Sequence, residues 1–357
     1  MMNNLWWTQI SGSRRIIDGI VHDIENRDNA IIVVPTGTPW PEDFRSILRA
    51  KLEMLFDTKS VHYVDTGNMN VGEYMLEHYC KKDIRFTYRP VISEGKFLGK
   101  CDDLTLGNAI IWVKNSRQRL AEWVSFITDY RNAIGDKEPA LFILELESLP
   151  EAFLSKKYLA IHTIGQTIPE YVRYTFASIL ADEEEIKDNF VAYVSQLMTT
   201  CCSDIELIPI CMGQWKRFIS DPYKTVQDLY ATMTRSNGTA FSMNEDEVAF
   251  DKKIWEAQIK ILFPCIERYR TYILNKMHKQ INSKITFPYH NGYEDVETIY
   301  ELELKDLLFL IGTEKLTMSD SKEYNRLTCF KEYRNKLAHL SHVDWEEAKF
   351  ILENYQG

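Results

Sequence analysis

A chain of 357 residues is longer than one hydrophobic core usually organises, so two or three domains are expected. With 45% hydrophobic and 12% aromatic residues, disorder is not the default, and a formal charge of −10 excludes a general nucleic-acid coat, so any RNA contact has to be local. No run approaches 18 uninterrupted apolar residues, and residues 1–9 carry Trp6 and Trp7 without a basic region leading into an apolar one. A soluble, cytoplasmic protein with no signal peptide and no membrane contact is expected. The seven cysteines, Cys80, Cys101, Cys201, Cys202, Cys211, Cys265 and Cys329, are odd in number and contain no Cys-x-x-Cys pair. They read as reduced core thiols rather than disulfides or zinc ligands.

Residues 5–25 predict an amphipathic helix, with Ile10, Ile16, Ile17, Ile20, Val21 and Ile24 at helical spacing and Arg14 and Arg15 outside the stripe. Residues 30–34 are a continuous apolar run ended by Pro35, the pattern of a strand buried on both faces. A turn at 36–42 leads into a helix over 42–56. Strands at 60–64, 109–114, 140–146 and 158–164 alternate with helices at 71–79 and 118–134. The alternation predicts a three-layer α/β domain over 1–168 with a largely parallel sheet.

A first strand followed by a Gly-containing turn and a helix is where a phosphate loop belongs. The layout is similar to the P-loop ATPases that precede effector domains in bacterial defence proteins, with Glu145 or Glu147 at the Walker B place. The loop Pro35-Thr36-Gly37-Thr38-Pro39-Trp40 has one Gly, no Lys, and two prolines that remove amide donors, so the Walker A chemistry is missing. A degenerate, non-hydrolysing scaffold or sensor is expected, with no nucleotide cofactor. Glu145 and Glu147 share a strand face, which permits a metal without calling for one.

Beyond residue 168 the pattern turns helical: 169–180, an acidic run at 182–185 read as a solvated helix start, then 186–198. A short strand is expected at 205–210 and short helices at 215–219 and 225–233. Cys201 and Cys202 read as reduced packing. Residues 235–247 contain Asn237-Gly238 and make the best linker, so 169–240 is read as a helical extension and 248–357 as a further domain.

Residues 250–282 predict one long helix, with Trp255, Ile259, Leu262, Phe263, Ile266, Tyr269, Ile273 and Met277 spaced for burial and a kink or break near Leu262 caused by Pro264. Lys276, His278, Lys279 and Lys284 form a basic patch near its end; Lys276 and Lys279 are candidates for an RNA phosphate track, solvated lysines being the bland alternative. A helix over 294–311 stopped by Gly312 follows, and 319–321 offers a cap for the next one. No Gly or Pro occurs between Ser321 and Gln356, so this stretch should be helical.

Within it stands Tyr333-Arg334-Asn335-Lys336-Leu337-Ala338-His339-Leu340. With Arg334 at zero and about 100° per residue, Asn335 lies near 100° and His339 near 140°, opposite an apolar face of Phe330, Tyr333, Leu337 and Leu340. Arginine matches phosphate oxygens with a permanently charged fork, and histidine exchanges protons near neutral pH. Asn335, one turn before His339, is placed to orient the ring or donate to a phosphate oxygen. Glu332, near 160°, and Lys336, near 200°, border this arc as secondary candidates. His342 follows His339 by three residues, yet no third ligand stands in register, so no metal site is expected.

The run Arg334-Asn335-x-x-x-His339 resembles the Arg-x(4 to 6)-His signature of the HEPN superfamily, in the form with Asn after the Arg, over roughly the last hundred residues. The resemblance implies an antiparallel helical bundle over 248–357, with the motif near the start of the last long helix. It implies a metal-independent endoribonuclease, in which two protomers form a composite site and the ribose 2′-hydroxyl attacks to leave a 2′,3′-cyclic phosphate. A homodimer or higher homo-oligomer acting on single-stranded RNA or tRNA is then expected, in a toxin–antitoxin or antiviral setting with an antitoxin or defence-system partner. The alternative is a non-catalytic HEPN interaction or dimerisation protein that docks a partner toxin or ATPase.

Overall fold

A computed structural model describes residues 2–356 apart from Asn68, Asp102, Asp103, Asn115, Ala152, Leu154, Ser155 and Asn244, and without the side chains of Met2, Asn3, Leu104 and Thr105. The chain divides into two compact units, 1–168 and 169–357. No helix among the described residues is long and apolar enough to cross a membrane. Among the described residues no cysteine is joined in a disulfide, and Cys80, Cys201, Cys202, Cys211 and Cys265 are buried.

The first unit runs α1 (Met2–Thr8), α2 (Ser11–Glu25), β1 (Asn29–Val33), α3 (Pro41–Leu55), β2 (Ser60–Val64), α4 (Val71–Tyr79), α5 (Lys82–Arg85), α6 (Glu94–Lys100), α7 (Leu104–Gly107), β3 (Ala109–Val113), α8 (Leu120–Ala133), β4 (Leu141–Leu146) and β5 (Leu159–Thr163). The strands form one sheet in the order β2-β3-β4-β1-β5, every pair parallel. The sequence dictates who sits in the middle. β1, β3 and β4 are apolar throughout apart from Asn29 and Glu145 and are buried at every position, whereas β2 and β5 alternate and lie at the edges. Asn29 is buried and completes the frame: its side chain donates to the Tyr158 carbonyl at 2.9 Å and accepts from the Phe142 N–H at 2.9 Å.

One face of the sheet, with Ile31, Ile111, Phe142 and Leu144, packs against Met75, Leu98, Trp123, Phe126 and Tyr130 from α4, α6 and α8. On the opposite side α2 packs on β1 and β5, α3 packs on β2, and α1 rests on α2 and α3. The expected three-layer arrangement is present. Residues 5–25, however, form two helices rather than one: Ile10 adopts an extended conformation between α1 and α2, and this lets Trp7 bury against Phe44, ring centroids 5.0 Å apart. Helices α5 and α7 were not expected, and neither was α6. It approaches α8 closely because Gly95 and Gly99 carry no side chain; a Cβ there would stand 2.6 Å from the Phe126 carbonyl oxygen and 2.7 Å from that of Tyr130.

The second unit is helical: α9 (Glu170–Glu183), α10 (Asp188–Cys201), α11 (Leu207–Met212), α12 (Trp215–Ser220), α13 (Pro222–Thr232), α14 (Glu247–Lys284), then a two-stranded hairpin of β6 (Tyr289–His290) and β7 (Asp295–Val296), then α15 (Leu304–Gly312), α16 (Ser321–Ala338) and α17 (Trp345–Asn354). The 38-residue α14 is its axis, contacted by α10, α13, α16 and α17. Because α10 lies along α14, the stretches 169–240 and 248–357 share this unit. The linker between them, of which Asn244 lies outside the described residues, is tied down where Ser236 donates from its backbone and hydroxyl to Glu206 at 2.6 and 2.7 Å.

Several local expectations are corrected. The acidic run 182–185 closes α9 rather than opening a helix, and Glu185 turns the chain at φ 52°. Residues 205–210 lead into helix α11 instead of a strand, in keeping with the burial of Leu207, Ile208, Cys211 and Met212 on a helical spacing. α14 continues through Pro264 without a break, since Pro264 and Lys260 face solvent, where water can take up the Lys260 carbonyl that proline leaves unbonded. Residues 294–311 hold β7, a 3₁₀ turn at Ile299–Glu301 and only then α15, because a capping box of Glu303 and Asp306 starts the helix at Leu304.

Candidate functional site

α16 starts at Asp320, whose side chain accepts from the Lys322 N–H at 2.9 Å, and it buries Leu327, Phe330 and Leu337. Phe330 stacks on Tyr269 of α14 with ring centroids 3.9 Å apart. The opposite side leaves Arg334 and Asn335 half-buried and Glu332, Lys336 and His339 exposed. The motif sits at the C-terminal end of the penultimate helix, not near the start of the last one. α16 stops at Ala338: the His339 N–H donates to the carbonyls of Asn335 and Lys336 at 3.1 Å, Leu340 enters the left-handed region at φ 60°, and the Ser341 N–H returns to the Lys336 carbonyl at 3.0 Å. This is a Schellman closure, with a leucine in the position that glycine usually occupies.

Two side chains of α14 hold the chain that follows. The Trp255 indole donates to the Leu337 carbonyl at 2.7 Å. Gln258, almost completely buried, accepts from the Val343 N–H at 2.8 Å and donates to the Val343 carbonyl at 2.7 Å and the Tyr193 hydroxyl at 3.1 Å. His339 is therefore an exposed imidazole on a fixed backbone. Nearby, burial, with Cys329 beside it, pushes the Tyr333 phenol up to about 12, so it stays protonated.

Arg334 has a different setting. Its guanidinium donates to Glu303 at 2.9 Å and lines a cavity of about 310 Å³ where Glu267, Glu294, Asp295, Glu301 and Glu303 face Arg270 and Arg334. Arg270 is itself engaged, by Glu267 at 2.7 Å and by the carbonyls of Tyr300 and Leu302 at 2.7 and 3.0 Å. Neither Asn335 nor His339 lines this cavity. The arrangement favours cations over phosphates.

The remaining sequence candidates are dispersed. Lys336 pairs with Glu347 at the start of α17. Glu332 points to solvent. Lys276 is committed to the buried Glu323 at 2.9 Å and to the Tyr272 hydroxyl at 3.2 Å, and the Glu323 bond raises its pKa; Lys279 is exposed one turn away. Glu323 lies in the first turn of α16 and His339 beyond its last, roughly 25 Å apart along the axis. Lys276 and Lys279 thus stand at the far end of α16 from the motif. His342 reaches Asp251 at 3.7 Å, and among the described residues no group of His, Cys, Asp and Glu is placed to hold a metal ion. Glu303, Arg270 and Gln258 were missed from sequence, with only the Glu-x-x-Asp capping box at Glu303 as a signal, and Trp255 was read only as part of the apolar stripe of α14.

In the first unit, the connections leaving β1 and β4 diverge, the place beyond the carboxyl ends where open parallel sheets hold ligands. Here that crevice is occupied by the protein itself. Arg45 forks onto Glu145 with its Nε 3.0 and 3.1 Å from the two oxygens, and the Trp112 indole donates to the same carboxylate at 3.0 Å. Burial works against the charge of Arg45, but Glu145 more than offsets it and holds the guanidinium above its usual pKa. Thr36, where a phosphate loop would begin, donates its hydroxyl to Glu147, and the Trp7 indole donates to the Trp40 carbonyl at 3.1 Å.

No protein-family model matches this chain, and no curated protein matches it.

Proposed function

We propose that residues 169–357 form an RNA-cleaving module of the kind the HEPN resemblance implies, with His339 moving protons, Arg334 binding the scissile phosphate and Asn335 beside them. The observation that supports this reading is the position of His339, exposed at the capped end of α16, one turn past Asn335 and on a backbone held by Gln258 and Trp255. In the reaction the imidazole accepts the proton of a ribose 2′-hydroxyl as that oxygen bonds to phosphorus. The bond to the 5′-oxygen breaks, and an imidazolium from a second copy protonates the leaving group, giving a 2′,3′-cyclic phosphate and a 5′-hydroxyl. The Arg334 fork offsets the charge that gathers on the non-bridging oxygens. For this the guanidinium has to leave Glu303. An ion pair whose side chains are 31% and 37% exposed is worth at most about 1 kcal/mol, so an RNA phosphate is able to replace it.

The substrate class is single-stranded RNA or tRNA, the setting a toxin or antiviral system, and the first unit a regulator that does not hydrolyse nucleotide, its crevice being filled by Arg45 and Glu145. The test uses the full chain on end-labelled single-stranded RNA and tRNA with a chelator present. His339→Ala and Arg334→Ala should each lower cleavage by roughly 10²-fold or more, and products of the parent should end in cyclic phosphate. Cleavage by His339→Ala at the parental rate refutes the assignment.

A second reading is favoured by the five carboxylates around Arg334 and Arg270: a non-catalytic module whose acidic cavity takes a cationic side chain of a partner toxin or ATPase. Under it, both substitutions leave function intact while charge reversal at Glu294 and Asp295 abolishes docking.

A further inference from the structure

A cavity of about 680 Å³ in the first unit opens beyond the carboxyl ends of β2, β3 and β4, and Glu147 and Trp123 are the groups named above that line it. Tyr63 and Val64 end β2, Val113 ends β3, Glu147 follows β4, and Trp123 of α8 closes the floor. A volume of this size suits a small organic ligand rather than a lone ion.

The charged groups on its wall are three cations, Lys114, Arg117 and Arg119, and two carboxylates, Asp65 and Glu147. Most are already engaged. Asp65 accepts from the Gly67 N–H at 2.9 Å, and Glu147 accepts from Thr36. Arg119 donates to the Met69 carbonyl and lies 3.6 Å from Glu122; Lys114 lies 3.8 Å from Glu42 and over the Tyr63 ring. Arg117 makes no ion pair or hydrogen bond among the described residues, and it is exposed at the cavity rim. Thr66 is only 9% exposed, lines the same cavity, and its hydroxyl likewise bonds to no described residue. As both donor and acceptor, that hydroxyl is available to whatever occupies the cavity.

Beside the cavity, and sharing Arg117 and Gln118 with it, runs a groove lined by the apolar Leu120, Val124, Pro150 and Phe153. An anion seat thus stands next to an apolar slot, with one uncommitted guanidinium between them.

We infer that this cavity binds a small phosphate monoester, its phosphoryl oxygens taken by the Arg117 fork and the Thr66 hydroxyl, and its ring lying in the groove along Leu120 and Phe153. The three oxygens of a phosphate monoester use a fork and a hydroxyl together. The site is separate from the crevice at β1 that Arg45 and Glu145 fill, and it does not depend on the RNA-cleaving reading of the second unit.

The test is isothermal titration of the full chain with adenosine 5′-monophosphate, ribose 5-phosphate and adenosine. The nucleotide should bind more tightly than the sugar phosphate, and adenosine should bind weakest. Arg117→Glu should weaken nucleotide binding by about tenfold or more, and Thr66→Val by several-fold, as expected for loss of a charged and a neutral hydrogen bond. Unliganded melting temperatures should stay at the parental value, because Arg117 has no ion pair or hydrogen bond among the described residues to lose. The proposal is overturned if neither phosphate ester binds, if adenosine binds as tightly as its monophosphate, or if Arg117→Glu binds the nucleotide as the parent does. Equal affinity for the sugar phosphate and the nucleotide overturns the placement of the ring in the groove.

Discussion

Arg334 is bonded to Glu303 at 2.9 Å across 31 residues of sequence, and this pair engages the permanent charge of the motif in a cavity that His339 does not line. Substituting Glu303→Gln keeps the size of the side chain and removes its charge. RNA cleavage by the full chain should rise several-fold, while the melting temperature changes little, because a pair this exposed contributes at most about 1 kcal/mol. Measured rates that fall instead would mean that Glu303 positions Arg334 for substrate rather than restraining it.

Gln258 satisfies both backbone groups of Val343 and the Tyr193 hydroxyl inside the second unit. Gln258→Leu fills the same space with no partner for any of them. The cost should be about 2–4 kcal/mol, the sum expected for two or more buried polar groups left unbonded. Urea denaturation gives the magnitude, and hydrogen exchange at Val343 should accelerate in step; a loss confined to global stability, with Val343 still protected, would contradict the clamp.

Leu340 closes α16 in a left-handed conformation at φ 60° and is 72% exposed, so its side chain gains little packing in return. Leu340→Gly should therefore stabilise the second unit by about 1 kcal/mol, the strain a non-glycine residue carries there. The same variant makes His339 less firmly placed. Greater stability accompanied by slower RNA cleavage is the expected pair of results.

Glu323 predicts a specific pH limb. Burial pushes its carboxyl up, but hydrogen bonds from Lys276 and Tyr269 together outweigh that and hold it below the usual carboxylate range. A depressed folded pKa stabilises the protein above the unfolded value, about 4.3, and that contribution is lost as the pH falls through the folded pKa. Lys276, raised chiefly by Glu323, contributes in the opposite sense: its share is present below the ordinary lysine pKa and disappears as the pH rises through the folded one. Stability measured by denaturation from neutral pH down to about 3 should fall less steeply in Glu323→Gln than in the parent. Parallel acid limbs would show that other carboxylates carry the transition.

The strands of the first unit and its helices α3, α4 and α8 can be read directly from the chain, since a run such as residues 30–34 or 141–144 has no low-energy place except between two layers. The order of those strands cannot be so read, nor can α6, because Gly95 and Gly99 argue against a helix until α8 is close enough to need their missing side chains. In the second unit the long amphipathic stripe of α14 is equally plain, and its passage through Pro264 depends on which side faces water. Residues Arg334, Asn335 and His339 stand out by type and spacing alone.

What the tertiary structure decided is where that helix ends and what its arginine touches. Leucine does not announce a left-handed turn, and neither Gln258 nor Glu303 is near the motif in sequence. Burial period and local propensity act along the chain and are legible in it. Helix closure, close backbone approach and ion pairing are settled between residues far apart, where the cost of an unbonded polar group or an uncompensated charge selects one arrangement among several that local preference allows equally.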